Sequence, residues 1–118
     1  MSEGRRRLSL AHSPDSDDAF MFYGLASGKV PSGELELVHV LRDIETLNRE
    51  AREGRHDITA ISFHAWPYVA EAYALMPCGA SIGDGYGPLL VAREPLDPAR
   101  IGGRLVAVPG SLTIKPAF

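Results

Sequence analysis

"LSLAHSPDSDDAFMFYGL", residues 8–25, joins two periodicities through a loop. Residues 8–11 form a short apolar run that reads as a buried strand. From Asp15 onward, Ala19, Phe20, Phe22, Tyr23 and Ala26 recur at the spacing of a helix face. Strand, loop and helix together are the opening unit of an α/β sheet. The loop also carries Asp15, Asp17 and Asp18. Their plain reading is a helix start: Asp15 or Ser16 caps, and Asp17 and Asp18 complement the dipole in the first turn. A nucleophile pair of D-x-D spacing lacks the hydroxyl residue expected two positions on. A metal pocket on Asp17 and Asp18 lacks a third ligand, and adjacent helical residues point about 100° apart.

The unit repeats along the chain. "SGKVPSG" (27–33) ends the first helix, and "ELELVHVL" (34–41) alternates Leu35, Leu37 and His39 with Glu34, Glu36 and Val38 as a strand does. In "RDIETLNREAREG" (42–54), Asp43 is the expected N-cap, Ile44, Leu47 and Ala51 share a face, and Gly54 is the stop. "HDITAISF" (56–63) reads as a third strand and "HAWPYVAEAYALM" (64–76) as a third helix, with Pro67 in its first turn. Beyond these, "LLVAREP" (89–95) and "GRLVAVPGS" (103–111) predict two or three further strands separated by tight turns. The expected fold is therefore α/β, a mostly parallel sheet with flanking helices, with ligands at the carboxyl ends of the strands.

Bulk properties exclude several classes. With 118 residues the chain is one domain, and 12 basic against 15 acidic residues, net −3, leave no extended basic face beyond Arg5, Arg6 and Arg7. Nucleic acid is not an expected partner. No apolar run is long enough for a signal peptide or a membrane span, so a cytoplasmic protein is expected. The single Cys78 has no partner for a disulfide and reads as a small buried hydrophobe.

At the predicted strand ends lie His12 and Ser13, Arg42 and Asp43, Ser62 and His64, and later the "VPGSLT" segment (108–113) with Ser111 and Thr113. Backbone N–H groups there suit a small anionic, hydroxyl-rich ligand. His12 reads as structural, His64 equally as a backbone-bonded residue or a proton shuttle, and His56 as solvated. The aromatics Phe20, Phe22, Tyr23, Trp66, Tyr68 and Tyr73 read as core first. "GDGYGP" (83–88) has neither the P-loop nor the dinucleotide order, and reads as a turn.

The motifs "SPDSDDAFMFYGLASGKV", "DIETLNREAREG", "DITAISFHAW", "GYGPLLVAREP" and "VAVPGSLT", in this order and over nearly the whole chain, resemble the 1,4-dihydroxy-6-naphthoate synthase family of menaquinone biosynthesis. The resemblance implies the first lobe of a type II periplasmic-binding-protein-like fold. It also implies a lyase of the futalosine route that converts cyclic dehypoxanthine futalosine to 1,4-dihydroxy-6-naphthoate without metal or organic cofactor. Carried over, Asn48, Ser62 and its strand neighbours Ala60 and Ile61, and Thr113 fall on substrate-contacting positions, and Ser13 borders the crevice. Residues 1–118 then correspond to the substrate-binding lobe. The family's histidine base lies in a second lobe absent here, so no catalytic residue is assigned in this chain and negligible activity is expected from it alone. The family's second adjacent threonine is replaced, with Ile114, Lys115 and Pro116 following Thr113. Other readings are a solute-binding module for a small anionic metabolite and a relative of chorismate dehydratase. An uncovered half-lobe is expected to self-associate.

Overall fold

In the computed structural model, which describes residues 4–87 and 89–113, three parallel strands carry the architecture. They are β1 (Arg6–His12), β2 (Leu35–Leu41) and β3 (Ile58–Thr59), in the order β2-β1-β3, with Leu10 beside both His39 and Ile58. Helix α1 (Ser16–Ala26) connects β1 to β2 and α2 (Ile44–Arg52) connects β2 to β3. The two crossovers run in opposite directions along the sheet, so right-handed connections put the helices on opposite faces. Phe22 of α1 stacks on His12, which assigns α1 to the Leu10 and His12 face and leaves the Ala11 face to α2. The central strand is accordingly covered on both sides: Leu10 and Ala11 are both buried, as are Leu47 and Ala51 of α2.

Local chemistry sets the α2 boundaries. The Asp43 carboxylate accepts from Thr46 N at 3.0 Å and from Thr46 Oγ1 at 2.6 Å and so satisfies the first free donors of the helix. The Thr46 hydroxyl and then its N–H hold the Asp43 carboxyl below the usual carboxylate range. Gly54 adopts φ +66° just past the helix end, where a side chain would be strained. β3 is held by a different device. Asp57 accepts from both Ser9 N and Ser9 Oγ at 2.8 Å, and its own N–H donates back to Ser9 Oγ at 2.8 Å.

Four expectations are corrected. The third strand spans only Ile58–Thr59, and the third helix is a 3-10 turn, Phe63–Tyr68, followed by looser turns. Pro67 donates no N–H inside it, and Leu75 and Met76 are exposed, so a longer helix would have no apolar surface to pack on. Second, the described residues of 89–111 form no strand, only a 3-10 turn at Pro98–Arg100. Leu89, Val91 and Leu105 are 86%, 84% and 102% exposed: a strand takes its hydrogen bonds from a neighbour, and none of the described sheet strands pairs with this segment. The Cα radius of gyration of 18.0 Å exceeds the roughly 13–14 Å of a compact chain of this length.

Third, the aromatics are not a core. α1 has no buried residue, Phe20 is 89% exposed, Tyr23 and Tyr68 are exposed, and Phe22, Trp66 and Tyr73 are only half-buried. Fourth, Cys78 is exposed, not buried, in the irregular segment after Pro77. The buried apolar set is Leu10, Ala11, Leu47, Ala51, Ala65 and Val69, which places the core between β1, α2 and the turn after β3. Among the described residues no helix is long and apolar enough to cross a membrane.

Candidate functional site

Parallel strands bring the carboxyl ends of β1, β2 and β3 to one edge, and the loop after β1 begins there. Ser13, 4% exposed, is held from three directions. Its N–H donates to Asp18 Oδ2 at 2.7 Å, its Oγ accepts from Asp15 N at 2.9 Å, and its carbonyl lies 3.1 Å from His12 Nδ1. Two of the three carboxylates, those of Asp17 and Asp18, have structural tasks. Asp15 is the N-cap residue of α1 but makes no side-chain cap bond, so the capping expectation is corrected there. Asp17 accepts from Ser81 Oγ at 2.8 Å, and Asp18 reaches back to the loop as an N3 acid does. Among the described residues no three His, Cys, Asp or Glu side chains converge in a metal-binding group.

His12 is 5% exposed, stacked on Phe22 with ring centroids 4.4 Å apart, and its Nε2 lies 3.0 Å from His39 Nδ1. The tautomers follow from the partners. The Ser13 carbonyl only accepts, so His12 carries a proton on Nδ1. A neutral His12 then accepts at Nε2 from His39 Nδ1–H. Burial first, and the neighbouring His12 second, lower the proton affinity of His39. The unfolded chain therefore protonates His39 before the folded one does. Stability from this group is complete above the ordinary histidine value of about 6.5 and is lost as pH falls through the lowered one. Melting temperature is expected to drop between pH 7 and pH 5, and His39→Leu to flatten that slope; equal slopes in the two proteins would refute the assignment. His56, expected to be solvated, is instead half-buried with Nε2 2.7 Å from Glu50 Oε2. Its carbonyl accepts from Tyr73 OH at 2.7 Å.

The α2 face carries the rest. Asn48 is fully buried. Its Oδ1 accepts from Ser62 N at 2.9 Å and its Nδ2 donates to Ser62 Oγ at 3.1 Å, which ties the loop after β3 to the helix. One turn earlier, Glu45 is 7% exposed. Its Oε1 accepts from Ser111 N at 3.1 Å and from Ser111 Oγ at 3.2 Å, its Oε2 from Leu112 N at 3.0 Å, and Arg49 Nη2 stands 3.3 Å from Oε1. Burial pushes the Glu45 carboxyl up, but the Leu112 and Ser111 donors together with Arg49 outweigh it and leave it below the usual range. Thr113 is 5% exposed, and its Oγ1 donates to Gly110 O at 3.3 Å.

Sequence reasoning did not single out Glu45. The backbone donors of residues 111 and 112, expected to face an anionic ligand, are taken by this internal carboxylate. An acid three residues before Asn48 on one helix face was the available signal, but a first-turn acid reads equally well as a dipole partner.

Asn48 and Ser62 are thus in direct contact, and Ser111 and Leu112 join the same helix face through Glu45, with Thr113 bonded inside that turn. Ala60 and Ile61 are half-buried between β3 and Ser62, with Ala60 N donating to Ala11 O at 2.8 Å. Among the described residues no hydrogen bond links Ser13 to Asn48, Ser62 or the 110–113 turn. His64 is exposed and faces Tyr68 edge-on. The departure at Ile114, Lys115 and Pro116 lies outside the described residues. Two concavities lie away from the strand ends, one lined by Leu90, Glu94 and Ile101, the other by Arg52, Tyr68 and Val69. Neutral hydroxyls and one amide dominate the strand-end edge, chemistry suited to holding hydroxyl and carboxylate groups. Ser62 has an amide partner, not a base that would activate it as a nucleophile.

Three comparisons bear on this arrangement. The family model described as menaquinone biosynthesis matches residues 8–115. The 1,4-dihydroxy-6-naphtoate synthase of Thermus thermophilus is 45% identical over 106 residues, 90% of this chain and 38% of its own length. The protein of the same name from Streptomyces coelicolor is 42% identical over 102 residues, 86% of this chain and 35% of its own. The crystal structure of an Archaeoglobus fulgidus protein is 51% identical with a TM-score of 0.65, over 69% of this chain and 30% of that one. The chain spans less than two fifths of the length of the curated relatives it matches.

Proposed function

Because the chain belongs to the menaquinone biosynthesis family, we propose that residues 1–118 form the substrate-binding first lobe of a type II periplasmic-binding-protein-like enzyme acting in the cytoplasm. The reaction is a carbon–carbon lyase step that takes cyclic dehypoxanthine futalosine to 1,4-dihydroxy-6-naphthoate. The observation that carries the reading is the buried Asn48/Ser62 clamp at the strand ends, inside the stretch shared with relatives named for that product. Ser13, Ala60, Ile61 and the hydroxyls of Ser111 and Thr113 complete the ligand edge. The general base is assigned to a second lobe, as the family resemblance implies, so this chain alone binds without turning over.

Titration of the chain with 1,4-dihydroxy-6-naphthoate, followed by a product assay with the futalosine substrate in the same sample, tests this. Saturable binding and no product is the expected result. Product formation would overturn the assignment of the base, and absence of binding would overturn the ligand edge. A solute-binding module would bind the naphthoate equally, but a full-length relative would then show no turnover.

The exposed Leu89, Val91 and Leu105 support self-association of this chain. Light scattering is expected to give a mass that rises with concentration; a constant monomer mass would refute it.

A further inference from the structure

Ser111 and Leu112 stand 66 and 67 positions from Glu45 in sequence, yet among the described residues every hydrogen bond that ties the 110–113 turn to the rest of the protein ends on that one carboxylate. Both Glu45 oxygens are used, and the turn has no strand or helix to hold it. Gly110 shows how close the fit is: a Cβ there would clash with the Glu45 side chain, so any side chain at that position requires the carboxylate to move out of the turn. Glu45 and Asn48 lie three residues apart on α2, a rise of about 4.5 Å along one face. One rigid helix face thereby grips two loops that are remote in sequence, Ser62 through Asn48 and Ser111 through Glu45.

We propose that Glu45 is a positioning residue, whose carboxylate seats the 110–113 turn so that Ser111 and Thr113 stand on the same ligand edge as the Asn48/Ser62 clamp. The inference rests on the reading of this edge as the naphthoate-binding surface. It assigns Glu45 no contact with the ligand. Its carboxylate occupies the backbone donors of residues 111 and 112, which would otherwise attract an anion.

Two variants approach the contact from opposite sides. Glu45→Gln keeps the side-chain shape but sets an NH2 group against one of the N–H donors, because both carboxylate oxygens accept. Gly110→Ala leaves α2 untouched and expels the carboxylate from the turn. In the unaltered chain the amide resonances of Ser111 and Leu112 are expected to titrate together, with a midpoint below the usual carboxylate range. Glu45→Gln is expected to abolish that titration while the Ser62 amide and the Asn48 side-chain signals stay in place. Affinity for 1,4-dihydroxy-6-naphthoate is expected to fall about tenfold in each variant, the scale of one lost charge-assisted hydrogen bond. Amides that do not titrate, or a Glu45→Gln chain that binds as well as the original, would overturn the proposal. If the unaltered chain binds no naphthoate, the ligand reading fails, and the amide titration still decides whether Glu45 holds the turn.

Discussion

Leu47→Ala is expected to lower stability by about 3 kcal/mol, within the range for emptying a fully buried leucine site. Leu47 has no exposed surface and lies on the α2 face that covers the central strand. Among the described residues the buried apolar set around it is small, and three of its six members are alanines, so the neighbours have little side chain with which to fill the space. For a domain of this size such a loss is a large part of the total. Urea unfolding followed by circular dichroism should show the midpoint fall with the slope unchanged. Leu47→Met, which conserves volume, should cost less than about 1.5 kcal/mol, and Leu105→Ala, at a fully exposed site, should stay within about 0.5 kcal/mol. Equal losses at positions 47 and 105 would mean that the core does not lie between β1 and α2.

Asn48→Ala is the second large effect, expected at about 2–3 kcal/mol. It removes a fully buried side chain and leaves the Ser62 N–H, formerly bonded to Asn48 Oδ1 at 2.9 Å, without its protein acceptor. A stranded donor costs more than a shared bond contributes. Ser62→Ala provides the contrast. It strands the buried Asn48 Nδ2 donor in turn but keeps the backbone half of the clamp and empties no fully buried side-chain site, and is expected at about 1–2 kcal/mol. The ordering of the two variants, measured by the same unfolding experiment, carries the prediction. A Ser62→Ala chain as unstable as Asn48→Ala would show that the hydroxyl, not the backbone bond, holds the loop. On the proposed function both variants also weaken naphthoate binding, and Asn48→Ala does so more.

Residues acting on near neighbours were legible from sequence alone. The apolar run of 8–11 and the helical spacing after it foretold β1 and α1. Asp43 and Gly54 bounded α2, because a cap bonds within three residues and a left-handed stop needs only a missing Cβ. The alternation of strands and single helices gave a parallel α/β sheet. The motif order led to the family whose model matches residues 8–115. What the tertiary structure alone decided depends on partners far apart in the chain. His12 meets His39 across 27 positions and Glu45 meets Ser111 across 66, and no periodicity records such distances. The same reason explains the failures. Residues 89–95 and 103–111 have the composition of strands, and residues 64–76 the spacing of a helix. Composition and spacing state what a segment would bury, whereas only the folded chain determines whether a surface is there to bury it.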